Sequence, residues 1–180
     1  REIPYWYPTD RMMHAPIDQE CWGAKWRAGT SNFRTVDELF TKRNLWALAA
    51  LRDGISALGS SGPANGLLFA LSAILLNCSV MYRYRPSLKG GFQAGTYYTP
   101  PESQIINVWR AFADKVQDVM AGAREQAHSV QVLISTQSAT SLADIASSSV
   151  DFVLTDPPYA GKVQYGELNF VWEAWLGLDT

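Results

Sequence analysis

The periodicity of the sequence changes near residue 128, and this change limits the folds that the chain can adopt. Up to that point apolar residues recur at helical spacing, whereas two short apolar runs follow at residues 130–134 and 150–154. Runs of this length that are rich in Val, Leu and Ile indicate strands buried on both faces of a sheet. The polar stretch between them, residues 138–149, has room for one short helical turn. Two strands joined by a crossover predict an α/β fold.

The helical pattern divides into three segments before the change and one after it. An amphipathic helix is predicted over residues 37–59, and a second, more apolar helix begins near Pro63. Together they predict a helical hairpin whose second helix is the more deeply buried. A third helix is expected over residues 103–126, and residues 167–178 begin a further one.

These patterns divide the chain into three regions. Residues 1–36 are rich in Trp, Tyr, Pro and Gly without a sustained period, which predicts an irregular arm held in place by aromatic side chains. Residues 37–128 are expected to form a helical region with a basic and aromatic loop, and residues 129–180 part of the α/β core. With 180 residues, 47% of them hydrophobic, the chain can bury a core, which excludes a disordered, collagen-like or disulfide-scaffolded protein.

The sequence also limits where the protein can be located and which ligands it can bind. The first ten residues lack the pattern of a secretory signal, and the most apolar stretch, residues 67–76, is shorter than the roughly 20 residues that span a bilayer. Two cysteines and two histidines form no recognisable zinc-binding pattern, so no metal site is predicted. We therefore expect a cytoplasmic protein without a membrane segment. Because its net charge is −2, the chain can present a local basic patch but not a surface that is positively charged throughout.

The strongest chemical signal follows the second apolar run, where the chain reads Asp156-Pro157-Pro158-Tyr159. Two prolines fix the backbone and leave its carbonyl groups without competing N–H groups. The carboxylate offers hydrogen-bond acceptors and the tyrosine a stacking face, a set that suits the exocyclic amino group of a nucleic-acid base. The alternative is a tight turn that only ends a strand, because Asp and Pro are frequent turn residues.

These four residues are identical to the catalytic motif of the amino-group DNA methyltransferases, and the chain resembles that family. Its members transfer a methyl group from S-adenosylmethionine to N6 of adenine or N4 of cytosine. Residues 40–45, 107–109 and 161–168 look similar to large bacterial and archaeal DNA methylases of the adenine-specific type. The resemblance covers most of residues 35–178. It implies a partial Rossmann-like, S-adenosylmethionine-dependent methyltransferase core with a helical insertion.

The resemblance also implies roles for the motif residues. Asp156 and the carbonyl group of Pro157 would accept hydrogen bonds from the target amino group, Pro158 would keep the tip rigid, and Tyr159 would stack on the flipped base. Positioning and charge stabilisation would then carry the reaction, with no covalent intermediate. The expected target is N6 of adenine, with N4 of cytosine as the alternative.

The cofactor loop of this family is not found in the sequence. No G-x-G pattern occurs, and the glycines at residues 62–66 and 90–95 follow no apolar strand. We therefore expect the loop to precede Arg1 in a longer protein, with this chain as an inactive fragment. Ser138, at a position where the family often has an acidic residue, and Thr155 are the remaining candidates for contact with the cofactor.

Contacts to DNA are predicted at two places. Arg83 and Arg85 alternate with tyrosines, a pattern typical of nucleic-acid surfaces, although an edge strand with a solvated face would look the same. Lys162, Gln164 and Tyr165 follow the motif directly, where a loop could close over the base or the backbone. DNA is the expected partner, together with a restriction or defence-system protein.

Two other classes of function fit the same residues. The chain could be a non-catalytic nucleic-acid-binding or scaffold part of a defence system. It could also belong to an enzyme that methylates RNA or a protein amide, because similar motifs serve other planar amino groups.

Overall fold

The computed structural model describes residues 2–12, 33–86, 90–92, 97, 99–126, 134, 140–157 and 165–178. In this part of the chain the regular structure is helical. The α-helices are α1 (Lys42–Ser56), α2 (Gly62–Ile74), α3 (Val108–Gln126) and α4 (Tyr165–Leu176). Two short 3₁₀ helices, Val36–Leu39 and Leu76–Cys78, precede α1 and follow α2.

Helix α1 confirms the existence of the first predicted helix but not its start at residue 37, because residues 36–39 form a 3₁₀ helix and Phe40 is extended. The hydroxyl oxygen of Thr41 accepts a hydrogen bond from the backbone N–H of Asn44, which satisfies one free donor of the first turn. Gly59 lies just beyond the helix with φ +68°, a left-handed conformation that glycine adopts without steric strain. Between these ends Leu48 is fully buried, as the apolar spacing predicts.

Helix α2 confirms the second predicted helix but not its predicted burial. The side chain of Ser61 accepts a hydrogen bond from the N–H of Ala64, and Pro63 occupies the first turn, where a missing N–H has no effect. The middle of the helix leaves Phe69 66% exposed. The prediction that α2 is more deeply buried than α1 is therefore wrong, because one face of this apolar helix has no neighbour within the described residues.

The core lies where α2 packs against α1, α3 and α4. Phe40 and Trp175 meet edge to face, with ring centroids 5.6 Å apart, and Trp175 is only 2% exposed. The indole N–H of Trp172 donates to the carbonyl oxygen of Ser72 at 2.9 Å, which ties α4 to α2. The amino-terminal arm joins this core through the backbone N–H of Met12, which donates to the carbonyl oxygen of Arg34 at 2.8 Å.

The side-chain amide of Asn44 connects three parts of the chain. It is 2% exposed, and its Nδ2 donates to the carbonyl oxygens of Cys78 at 2.9 Å and Ile106 at 3.2 Å. These carbonyl groups lie at the end of a 3₁₀ helix and just before α3. One buried amide therefore satisfies two acceptors and fixes the start of α1 against both segments.

Helix α3 begins five residues later than predicted, at Val108 instead of residue 103. The reason is a competing set of hydrogen bonds in the preceding residues. The hydroxyl of Ser103 donates to the carbonyl oxygen of Val80, and the N–H of Gln104 donates to the carbonyl oxygen of Tyr82 at 2.8 Å. These bonds hold the chain extended until residue 107.

The predicted α/β fold is wrong for the described residues, which contain isolated β-bridges but no strand or sheet. Residues 150–154 are irregular and exposed, with Phe152 at 79% and Leu154 at 87%. In the first apolar run only Ile134 is described, and it is exposed as well. An apolar run becomes a strand only where neighbours pair with its backbone and cover its faces, and none of the described residues pairs with residues 150–154. The partial Rossmann-like core is therefore not a correct description.

No described helix is both long enough and apolar enough to cross a membrane.

Replacement of Asn44 tests how much the fold depends on its amide. We expect Asn44→Leu to lower the free energy of unfolding by about 3 kcal/mol, because two buried carbonyl groups lose their donor. Asn169→Leu, at an exposed position of α4, serves as the matched control and should change it by less than about 0.5 kcal/mol. Urea unfolding measures both values, and an equal effect of the two substitutions would contradict the role of Asn44.

Candidate active site

The beginning of the predicted catalytic motif lies on the surface. Thr155, Asp156 and Pro157 are all exposed and directly follow the exposed apolar run. The carboxylate of Asp156 makes no hydrogen bond or ion pair within the described residues. Its oxygens are therefore open to an incoming donor, and water solvates them when no such donor is bound.

Local hydrogen bonds form turns in the segment that leads to the motif. The N–H of Ile145 donates to the carbonyl oxygen of Leu142 at 3.0 Å, and the hydroxyl of Ser149 donates to the carbonyl oxygen of Ala146 at 2.6 Å. Both bonds join residues three positions apart, as in turns. The single helical turn expected between the two apolar runs is thus replaced, in residues 140–149, by hydrogen-bonded turns and bends.

The other predicted site residues divide into two groups. Five of them lie outside the described part of the chain. They are the motif residues Pro158 and Tyr159, the cofactor candidate Ser138, and the predicted DNA contacts Lys162 and Gln164. Tyr165 is the first residue of α4, which confirms a helix close to the predicted start of the last helical segment.

The segment that carries Arg83 and Arg85 has a defined backbone. The N–H of Arg83 donates to the carbonyl oxygen of Gly91 at 3.1 Å, and the N–H of Tyr84 donates to that of Glu102 at 2.9 Å, so the segment is bridged on both sides. Both arginine residues are exposed. Since they are two positions apart in an extended chain, their side chains leave the backbone on the same side.

Gly90 lies directly against the ring of Tyr82, so a Cβ atom at this position would displace the outer part of that ring. Between described residues, no hydrogen bond or ion pair joins Arg83 or Arg85 to residues 150–157.

Metal binding, catalysis by cysteine and a glycine-rich cofactor loop have little support in the described residues. They contain no group of three or more potential metal ligands close together. Burial raises the pKa of the Cys78 thiol to about 12, so that this cysteine stays protonated and is unsuited to act as a nucleophile. The glycines of residues 62–66 belong to the first turns of α2 and do not form a loop that follows a strand.

Sequence reasoning missed Arg52, a cation that two distant aromatic residues hold in place. Its Nε donates to the carbonyl oxygen of Trp175 at 2.7 Å, and its guanidinium carbon lies 3.9 Å from the ring centroid of Trp6. The sequence contains one signal for it, an arginine between Leu51 and Ile55 on the stripe of α1 that the pattern assigns to the core. Its partners are distant in sequence and could not be foreseen.

Comparison of the chain with protein-family models, with curated proteins and with solved structures finds no match.

Because the segment before the motif is exposed, replacing a phenylalanine there should lower the stability of the protein much less than replacing a phenylalanine in the core. Phe40→Ala should lower the free energy of unfolding by about 3–5 kcal/mol, because this side chain is buried against Trp175. Phe152→Ala removes the same atoms from an exposed position and should change it by less than about 0.5 kcal/mol. Thermal and urea unfolding measure both. A large loss for Phe152→Ala would show that residues 150–154 are buried after all.

Proposed function

We propose that this chain carries the base-binding tip of an enzyme that methylates an exocyclic amino group in DNA, with N6 of adenine as the target. The observation that carries the proposal is the sequence Asp156-Pro157-Pro158-Tyr159, an acceptor, two rigid residues and a stacking ring in a row. The exposure of Asp156 supports it, because an extrahelical base can reach only an accessible carboxylate.

The proposed chemistry concerns the two N–H groups of the target amino group. Asp156 and the carbonyl oxygen of Pro157 accept one hydrogen bond each, which raises the electron density on the nitrogen. As the nitrogen took up the methyl group it would gain positive charge, which the carboxylate of Asp156 would stabilise, while the electron pair of the broken carbon–sulfur bond would remain on the sulfur of the donor. The surplus proton then leaves to water, so no histidine or cysteine is needed.

S-adenosylmethionine is the proposed methyl donor, whose sulfonium group makes the methyl carbon electrophilic. The described residues do not fit it on their own, since Gly62 begins a helix and Thr155 stands exposed without a surrounding cradle. The role proposed for this chain is therefore limited to binding the target amino group.

Arg83 and Arg85 are proposed to contact the DNA backbone. Two exposed guanidinium groups on one side of a bridged segment can bind successive phosphates, and the exposed ring of Tyr84 adds an aromatic surface.

We place the protein in the cytoplasm, where the DNA of bacteria and archaea lies. A restriction or defence-system partner is part of the same proposal.

Substitution of the first motif residue tests the proposal. In the protein that carries this chain, Asp156→Ala should reduce transfer of labelled methyl groups from S-adenosylmethionine to double-stranded DNA by about 100-fold or more. Asp151→Ala is the matched control, because it removes an exposed carboxylate from the same segment, and it should leave the rate unchanged.

Equal rates for the wild-type protein and Asp156→Ala would contradict the proposed role. DNA binding with a steep salt dependence and no methyl transfer in any variant would favour the non-catalytic nucleic-acid-binding alternative. Labelled methyl groups on RNA or protein but not on DNA would move the substrate to the other alternative.

A further inference from the structure

Arg52 is fixed in place by two interactions that leave most of its donors unused. Its Nε bonds to the carbonyl oxygen of Trp175, and its plane lies over the ring of Trp6. Within the described structure its Nη1 and Nη2 groups make no hydrogen bond and no ion pair. Four N–H donors of a rigidly held guanidinium group are therefore available to a ligand.

The unpaired state of this cation is unfavourable, which is why it points to a ligand. Arg52 is partly buried, and this burial lowers the pKa of its guanidinium group. A charge that has lost part of its water is normally compensated by an opposite charge. Asp53 is next to it in sequence but is exposed to solvent, and no ion pair joins the two.

Arg52 borders a recess of about 290 Å³ at the turn between α1 and α2. Its lining includes both polar and apolar side chains. The polar residues are Ser56, Ser60 and Asn65, and the large apolar ones are Ile55, Leu68 and Leu176. Among the described residues that line the recess none is acidic, and Arg52 is the charged one.

We propose that this recess binds a small monocarboxylate with a short apolar group. The planar fork of an arginine matches the two oxygens of a carboxylate, and one cation balances one negative charge. The hydroxyl and amide groups can donate further hydrogen bonds, and the aliphatic wall covers the apolar part of the ligand. This binding site does not depend on the proposed methyl transfer.

The test uses 3-methylbutanoate as the probe in calorimetric titrations of the 180-residue chain. Saturable binding with one site is expected, and Arg52→Lys should weaken it about tenfold or more, because a lysine keeps the charge but loses the fork. Arg43→Lys is the matched control, since it makes the same change at an exposed position of the same helix, and it should leave binding unchanged.

A second variant tests the recess without touching Arg52. Ser56→Trp places a large side chain at the exposed end of α1 and should block the recess while the fold is retained, so that binding is lost. Titration with inorganic phosphate forms the second arm. Binding of phosphate but not of 3-methylbutanoate would overturn the proposed ligand class. Absence of binding, or binding that survives both Arg52→Lys and Ser56→Trp, would overturn the site itself.

Discussion

The described fold depends on α1 being fixed at both ends by side chains that bind distant main-chain carbonyl groups. At its start the buried amide of Asn44 bonds to Cys78 and Ile106, and two turns later Arg52 bonds to Trp175. Apolar packing alone would allow neighbouring helices to slide, since it has little directional preference. Hydrogen bonds to particular carbonyl groups select one register. The positions of α3 and α4 relative to α1, and the rigid cation beside the recess, follow from these bonds.

The helices could be predicted from the sequence because their signals are local. The spacing of Leu45, Leu48 and Leu51, with a capping Thr41 before them and Gly59 after them, contains most of the information needed for α1. The start of α3 has a local signal as well, since the side-chain oxygen of Asn107 accepts a hydrogen bond from the N–H of Arg110 at 3.0 Å, but the prediction did not use it. The extended residues before this cap depend on the hydrogen bonds of residues 103 and 104 with residues 80 and 82, which lie more than twenty positions earlier.

The failed strand prediction and the missed arginine have one cause. A continuous apolar run such as residues 150–154 has the composition of a buried strand, but a strand also needs pairing partners that the run itself does not specify. Arg52 likewise has an ordinary sequence context, and only Trp6 and Trp175 make it unusual. The chemistry proposed for the motif remains a prediction from sequence, and it rests on Asp156 and its neighbours because one short segment holds the groups proposed to bind the amino group.

The exposure of Asp156 is compatible with the proposed chemistry, because the substrate can remove the water. An exchange of water for an amino group at a solvated carboxylate contributes only about 0.5–1.5 kcal/mol. In the proposed reaction, stacking of the base on an aromatic ring would contribute about 1–3 kcal/mol, and the base would bring an apolar surface to the carboxylate. The attraction between Asp156 and the growing charge on nitrogen would then act in a medium of lower dielectric constant, where it is stronger. In the proposed reaction, bound DNA therefore creates the environment in which this carboxylate stabilises the transition state.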